Sequence, residues 1–430
     1  MRKDILIIAL IVFLFSPMAV KAQRLTDELK ATIIQKIQVE LKKSYIFEAV
    51  ADKVISDLKQ KYSNDAYREI KKEEDFAFAI TKDMRAISKD LHLELVYSEN
   101  SLESKEEDDK LWLSELLVNN GYGVKSKKIL EGNIGYLQFP FFGPVENCAD
   151  TLFGAMQFVA ETDALIIDLR ECRGSLDPDM IPLFSAYFFK EPVHLFDFEN
   201  RETNTFRQMW SAAWVPGKKY HTKPLYILTS GRTFSGGEEF AYDLKHLKRA
   251  MIIGQVTKGG AHARFPVNIN EHFYITIPKE RSVNAITKTN WEQVGVKPTI
   301  EIDSKLALHK AHILALKSVI DSSTQAEKQK TLIILLQQLE NEKQVFKKVK
   351  FRLTGYKDAK EVAIAGSFNF WAPKNNFLTF NGREWSCELE ISPGKHSYKF
   401  IVDGKWILDP DNPNTIKENE YVNSAIVVVE

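Results

Sequence analysis

The spacing of apolar residues changes three times along the chain, and each change marks a different architecture. From about Leu25 to Lys89 they recur at three and four: Leu29, Ile33, Ile37, Leu41, then Val50, Val54, Leu58, then Phe76, Phe78, Ile80, Met84 and Ile87. One apolar stripe per segment is what a helix with one buried face requires, so residues 23–97 predict a small helical module. Its end, Leu91–Tyr97, alternates with period two as a half-buried strand does. Ser98 to Trp112 is charged and lacks apolar periodicity, which predicts a linker.

From Gly132 onward short apolar runs alternate with helical spacing: Ile134–Phe139, a helix over Val145–Ala160, Ala164–Leu169, a helix over Pro178–Phe189, Leu225–Leu228 with a helix after it, and Ala250–Gly254. This predicts an α/β domain over 98–318, a largely parallel sheet with helices on its faces and a site at the strands' carboxyl ends. Helical spacing returns through Leu306, Leu308, Ile313, Leu316, Ile320, Leu332, Ile334, Leu336 and Leu339, making 319–345 a helical linker. Residues 346–430 turn to short alternating strands between turn signals, an all-β immunoglobulin-like sandwich. The fold class expected is therefore multidomain.

Charge excludes one class of partner. Lys plus Arg and Asp plus Glu are 58 each, so no net field draws in nucleic acid. Residues 1–22 carry Arg2 and Lys3, an apolar run from Ile5 to Phe15 and small residues before Gln23, a secretory signal too short to span a bilayer. Export permits disulfides, and a Cys148–Cys172 bridge is one option, with Cys387 left over. No His/Cys cluster has metal-ligand spacing; Asp90 and His92 come nearest.

The chemistry concentrates in Pro224-Leu-Tyr-Ile-Leu-Thr-Ser-Gly-Arg-Thr-Phe-Ser-Gly-Gly-Glu-Glu-Phe240, a strand, a small polar turn and the start of a helix. Ser235 sits at the turn. A serine there can expose its hydroxyl at the mouth of a sheet, with the amides of Gly236 and Gly237 aimed at a developing oxyanion. The same residues also fit a helix cap, with Glu238 closing a Ser-x-x-Glu box.

This stretch, with Asp163-Ala-Leu-Ile-Ile-Asp-Leu-Arg170, Gly254-Gln-Val-Thr-Lys-Gly-Gly-Ala-His262 and Asn290-Trp-Glu-Gln-Val-Gly-Val-Lys-Pro298, resembles the tail-specific (C-terminal processing) serine peptidases. The branch is that of interphotoreceptor retinoid-binding protein and the tricorn core protease, and the resemblance covers roughly residues 24 to 318. It implies a crotonase-like α/β fold, Ser235 as nucleophile, His92 as general base, Glu292 as the carboxylate that orients it, and the amides of Gly236 and Gly174 as oxyanion donors. A histidine base would titrate near its ordinary value of roughly 6.5 or somewhat higher. Taken alone, His92 also fits a hydrogen-bonded structural histidine, and Glu292 a surface turn residue. Processing peptidases place a lysine base where this chain has Gly260. The nearby Lys258 is two residues away, several ångströms along extended backbone, so a Ser-Lys dyad fits less well. His262 is a further candidate, ranked below His92. Glu171, Cys172 and Arg173 stand where the family's oxyanion loop is richer in glycine and asparagine.

At the other end, Ala363–Trp371, Pro393–Trp406 and Asp409-Pro410 resemble the glycogen-binding domain of AMP-activated kinase β subunits and the early-set domain of isoamylases. The resemblance implies a glucose-stacking platform of Trp371 and Trp406, with Lys399 and Asn423 bonding hydroxyls. The tryptophans equally fit the filling of a sandwich edge. The expected whole is an exported, periplasmic or extracellular serine-type peptidase without a cofactor, taking a polypeptide substrate and an α-glucan-like polysaccharide. The alternative is a non-catalytic binding protein that keeps the fold for an apolar ligand or a glycan.

Overall fold

Strands Ser126–Leu130, Ile134–Gln138, Ala164–Asp168, Leu225–Thr229, Met251–Gly254 and Ile300–Glu301 lie side by side in that order in the computed structural model. All neighbours run parallel except the first pair. The model describes residues 25–429 apart from 103–104, 343–344, 374–375 and 419–420; the signal expected over 1–22 lies outside the described residues. Every residue of Ala164–Asp168 and Leu225–Thr229 is buried, which is why these runs are continuously apolar rather than alternating. Helices Val145–Val159 and Gly236–His246 pack on one face around Phe142, Phe184 and Phe240. On the other, Ala307, Ala311 and Ala315 let helix Ser304–Ser322 lie close against Ile166, Tyr226 and Leu228.

A second, antiparallel sheet has only one counterpart in the sequence reading, the strand over Leu91–Tyr97. Phe273–Asn284 pairs with Glu94–Tyr97, His194–Asn200 and His262–Asn268, and Thr205–Trp210 adds an edge. Pro278 and a register shift before Glu280 break the alternation that would have revealed its longest strand. Helices Asp27–Ser44, Glu48–Ser63 and Glu73–Ser88 share one core with this sheet through Ile33, Leu58, Phe76, Leu95, Ile275 and Ile277. The front module and the second sheet are thus one unit.

Two expectations are corrected. The segment read as a linker contains helix Lys105–Asn119, which a pattern search misses because Leu117 is its one buried apolar anchor, with Leu113 and Leu116 half-buried beside it. Cys148, Cys172 and Cys387 are all free thiols; Cys172 packs beneath the helix that follows Ser235. Among the described residues no helix is long and apolar enough to cross a membrane.

The C-terminal sandwich has its own core of Phe351, Leu353, Ile364, Tyr398 and Phe400 between a three-stranded and a five-stranded sheet. It docks on the rest of the chain through the Arg170 guanidinium over the Phe370 ring (4.6 Å), Arg232 Nη1 to the Phe370 carbonyl (3.3 Å) and Lys405 Nζ to Asp75 (3.1 Å).

Candidate active site

Ser235 ends the turn between Leu225–Thr229 and Gly236–His246 with φ 50° and ψ −122°, a conformation that L-residues avoid. Such strain costs about 1–3 kcal/mol and persists only where the surroundings impose it. Here they do. Phe234 N–H donates to Cys172 O (3.0 Å), Thr233 Oγ1 to Leu169 O (2.8 Å), and the Ser235 amide to Glu238 Oε2 (2.8 Å). Glu238 also accepts from Thr257 Oγ1, Gly259 N (2.7 Å) and Gly260 N (2.9 Å), so one buried carboxylate ties the turn to the 257–260 loop. Burial pushes Glu238 up to about 7, against the pull of those donors.

The loop after Asp168 crosses directly over Ser235. A Cβ at Gly174, whose φ is +125°, would lie 3.0 Å from Ser235 Cβ and 3.5 Å from its Oγ; one at Gly236 would collide with Ser175 at 2.6 Å. Only glycine permits that approach. Among the described residues, neither the Gly174 nor the Gly236 amide has a hydrogen-bond acceptor. The loop is anchored by Asp168, which is fully buried and holds Arg170 (2.6 and 2.9 Å) and the Tyr136 hydroxyl (2.7 Å).

The imidazoles arrive from the second sheet and the segment before it. His92 is buried, stacked on Phe234 with centroids 4.6 Å apart, and its Nδ1 has no hydrogen-bond partner among the described residues. Burial pushes its pKa down to about 3, with the charge of Asp90 opposing, so the ring is neutral far below the value of roughly 6.5 expected from its type. Asp90 Oδ1 accepts from the His92 amide (2.9 Å), and its Oδ2 accepts from Tyr45 (3.1 Å) and sits 2.6 Å from His262 Nδ1. Burial opposes charge on both members of that pair, yet their mutual bond prevails: Asp90 is lowered and His262 raised.

Among the described residues no hydrogen bond joins Glu292 to His92. Glu292 Oε2 takes the Ala261 amide (2.6 Å) and lies 3.7 Å from His262 Nδ1, while Oε1 is buried without a hydrogen-bond partner among the described residues. The cause is its turn: Trp291 Nε1 donates to Gly260 O (2.9 Å) and Asn290 Oδ1 caps the Glu292 amide (3.0 Å), which aims the carboxylate at His262. Burial raises Glu292 to about 7. Asp90, His262 and Glu292 place one donor each within 4.8 Å, a grouping invisible in the sequence because it spans three distant segments.

The lysine position of the processing peptidases is closed. A Cβ at Gly260 would strike the Phe234 ring at 2.3 Å and His92 Cε1 at 2.9 Å. Lys258 instead lies over that ring, Nζ 4.5 Å from its centroid. Sequence reasoning gave Glu238 only a capping role and Asp90 none beyond a metal candidate; the Ser-x-x-Glu and Asp-x-His spacings were the available signals.

On the sandwich, Trp371 and Trp406 stand 6.2 Å apart at 41°, and Trp406 is 43 % exposed. Lys399 Nζ lies 5.8 Å from the Tyr421 ring. Asn423 departs from the expected platform: it is buried and its Nδ2 donates to Glu418 Oε2 (3.0 Å), so its amide is already engaged within the sheet.

Comparison with known proteins divides the chain the same way. Residues 133–302 match peptidase family S41, residues 21–120 the N-terminal domain of peptidase S41 in eukaryotic IRBP, and residues 349–430 the glycogen recognition site of AMP-activated protein kinase. The 5'-AMP-activated protein kinase subunit beta-1 of Sus scrofa is 40 % identical over 78 residues, 18 % of this chain and 61 % of that protein; for the Homo sapiens subunit the share of that protein is 27 %. This chain thus spans less than two thirds of those relatives. Among solved structures, a lipoprotein from Streptococcus agalactiae (TM-score 0.46, 13 % identity, 67 % of this chain and 96 % of that one) and the photosystem II D1 C-terminal processing protease (TM-score 0.42, 12 %, 64 % and 94 %) are similar. Residues 133–302 of the chain are therefore a serine peptidase domain of family S41, with a segment matching that family's N-terminal domain before it and a glycogen-recognition domain after it.

Proposed function

We propose that this chain is an exported peptidase that cleaves peptide bonds through an acyl-enzyme on Ser235. The observation that carries this reading is the strained elbow roofed by the Gly174 loop, where two amides without acceptors flank one hydroxyl. Ser235 Oγ attacks the scissile carbonyl, His92 takes its proton and returns it to the leaving amine, and water then releases the acyl group by the same route. The Gly174 and Gly236 amides hold the oxyanion, each donor lowering the barrier by about 3 kcal/mol. His92 is neutral and so able to accept. Asp90, whose charge favours its protonated form, supports the imidazolium; Glu292 acts one step removed, by fixing His262 beside Asp90. The sandwich tethers the enzyme weakly to an α-glucan-like chain, with Trp406 as the accessible stacking surface and Trp371 beside it. Fluorophosphonate labelling tests the core of this reading: the probe should modify Ser235, and Ser235→Ala should neither be labelled nor degrade an unfolded polypeptide. Degradation that survives the substitution overturns it.

A further inference from the structure

Each tryptophan of the platform stands next to a residue that docks the sandwich, and the two docking residues hold opposite sides of the candidate site. Phe370 precedes Trp371. Its ring lies on the Arg170 guanidinium (4.6 Å), and its carbonyl accepts from Arg232 Nη1 (3.3 Å). The backbones of those arginines are joined by Ser230, whose hydroxyl donates to Arg170 O (2.5 Å) and accepts from the Arg232 amide (3.0 Å). This junction ties the loop carrying Gly174 to the turn carrying Ser235. Lys405 precedes Trp406 and pairs with Asp75 (3.1 Å) in helix Glu73–Ser88, and a Cβ at Gly404 would lie 3.6 Å from the Phe78 ring of the same helix. That helix holds the candidate base. Its Arg85 donates to Leu91 O (2.7 Å) and Leu93 O (2.9 Å), the carbonyls on either side of His92.

The docking residues are not free to move apart from the tryptophans. Phe370 and Trp371 have φ of 53° and 56°, two successive left-handed residues of the kind that persists only where the surroundings impose it. Trp371 N–H donates to Gly366 O (2.8 Å), and the Asn369 side chain accepts from Gly366 N (2.9 Å) and donates to Ile364 O (3.1 Å), which fixes the turn as a unit. Lys405 and Trp406 are consecutive in strand Lys405–Ile407, opposite Val402 and Ile401. A sugar chain stacked on both tryptophans, 6.2 Å apart, therefore braces the turn against the strand, and with them both docking contacts. A ring over a guanidinium and an exposed ion pair are individually weak, so docking is a balance that a ligand can tip by its differential affinity. We propose that a glucan bound across Trp371 and Trp406 strengthens the docking of the sandwich on both halves of the candidate site and orders the Gly174 loop and the Ser235 turn for reaction, with Phe370 as the positioning residue that carries the effect. The ligand rests on the platform reading and the gain in reactivity on the acyl-enzyme reading, and the experiment separates the two.

Maltoheptaose is titrated into the full chain by calorimetry, and at saturation two quantities are followed: the rate at which a fluorophosphonate modifies Ser235, and amide hydrogen exchange over 168–174 and 230–235. The sugar should speed labelling at least about threefold and slow exchange in both segments by a similar factor. Phe370→Ala should still bind the sugar and lose both responses. Asp75→Lys sets two cations against each other on the base side and should diminish both responses; adding Lys405→Asp should restore them, which a general loss of stability would not allow. Because coupling is reciprocal, Asp75→Lys should also weaken maltoheptaose binding, although Asp75 lies outside the platform. If Phe370→Ala does not fold, the charge swap carries the comparison. Labelling and exchange indifferent to bound maltoheptaose, or responses that survive in both Phe370→Ala and Asp75→Lys, overturn the proposal. So does a full chain that binds no maltoheptaose, which overturns the tethering reading with it. Exchange slowed by the sugar in a chain whose Ser235 is never labelled supports the coupling and counts against the acyl-enzyme reading alone.

Discussion

The two sides of the candidate site are built in opposite ways. Around Ser235 the strained backbone is pinned through Thr233, Phe234 and Glu238 to two loops, 168–174 and 257–260, and Glu238 alone receives four donors. On the imidazole side two buried polar atoms, His92 Nδ1 and Glu292 Oε1, have no hydrogen-bond partner among the described residues, while Asp90 and His262 hold each other. A rigid nucleophile can be made by one local motif, because a turn and a helix start supply both the hydroxyl and the amides. A buried base has to be assembled from distant segments, and each charge brought in must be matched by another.

The largest expected effect is on the elbow. Ser235→Ala should lower kcat by at least about a thousandfold while unfolding by denaturant stays within about 0.5 kcal/mol, since it removes the attacking oxygen and little packing. A large loss of stability instead would mean that the serine serves the fold.

Next is the buried pair. Asp90→Ala or His262→Leu leaves one group without its partner, and the chain should lose about 3–5 kcal/mol in denaturant unfolding. The sign of its pH dependence follows from the two shifts. His262 lies above its ordinary 6.5, so its contribution is complete below that value and is lost as pH rises through the folded one. Asp90 lies below 3.8, so its share is present above that value and is lost in acid. Unfolding free energies of Asp90→Ala and the unsubstituted chain should therefore differ most between these limits; a pH-independent difference would show that the pair does not titrate as described.

The pH profile sharpens the contrast between the histidines. With His92 near 3, acid loss of kcat/KM between pH 8 and 5 should come from Glu292 and Glu238, both near 7, and not from the base. Activity should rise through about pH 7, and Glu292→Gln should flatten or move that inflection. An inflection near 6.5 unchanged in Glu292→Gln and Glu238→Gln would return the titration to an imidazole.

The smallest effect belongs to the sandwich. Trp406→Ala should weaken maltooligosaccharide binding to the full chain by about 1 kcal/mol or abolish it, as loss of one stacking surface implies, with hydrolysis of a sugar-free peptide unaffected. Binding that is indifferent to Trp406 would leave the tryptophan pair a packing feature.

Several of these parts were legible beforehand. The continuous burial of Ala164–Asp168 and Leu225–Thr229 was readable as apolar runs, and the Ser235 turn as small polar residues before a helical stripe, because both properties reside in consecutive residues. The role of Glu292 was not. Its partner depends on the Trp291–Gly260 bond and on where strand His262–Asn268 falls beside Phe273–Asn284, neither of which has a local signature.

The sequence by itself determined the order of helical module, α/β domain and sandwich and the position of the elbow, since periodicity and turn chemistry act over a few residues. Tertiary structure alone decided that His92 and Lys258 both pack on the Phe234 ring, that Gly260 has no room for a side chain, and that Asp90 joins His262. Those outcomes depend on charges and rings that meet across many residues of chain, where burial sets which proton stays and which contact a side chain can reach.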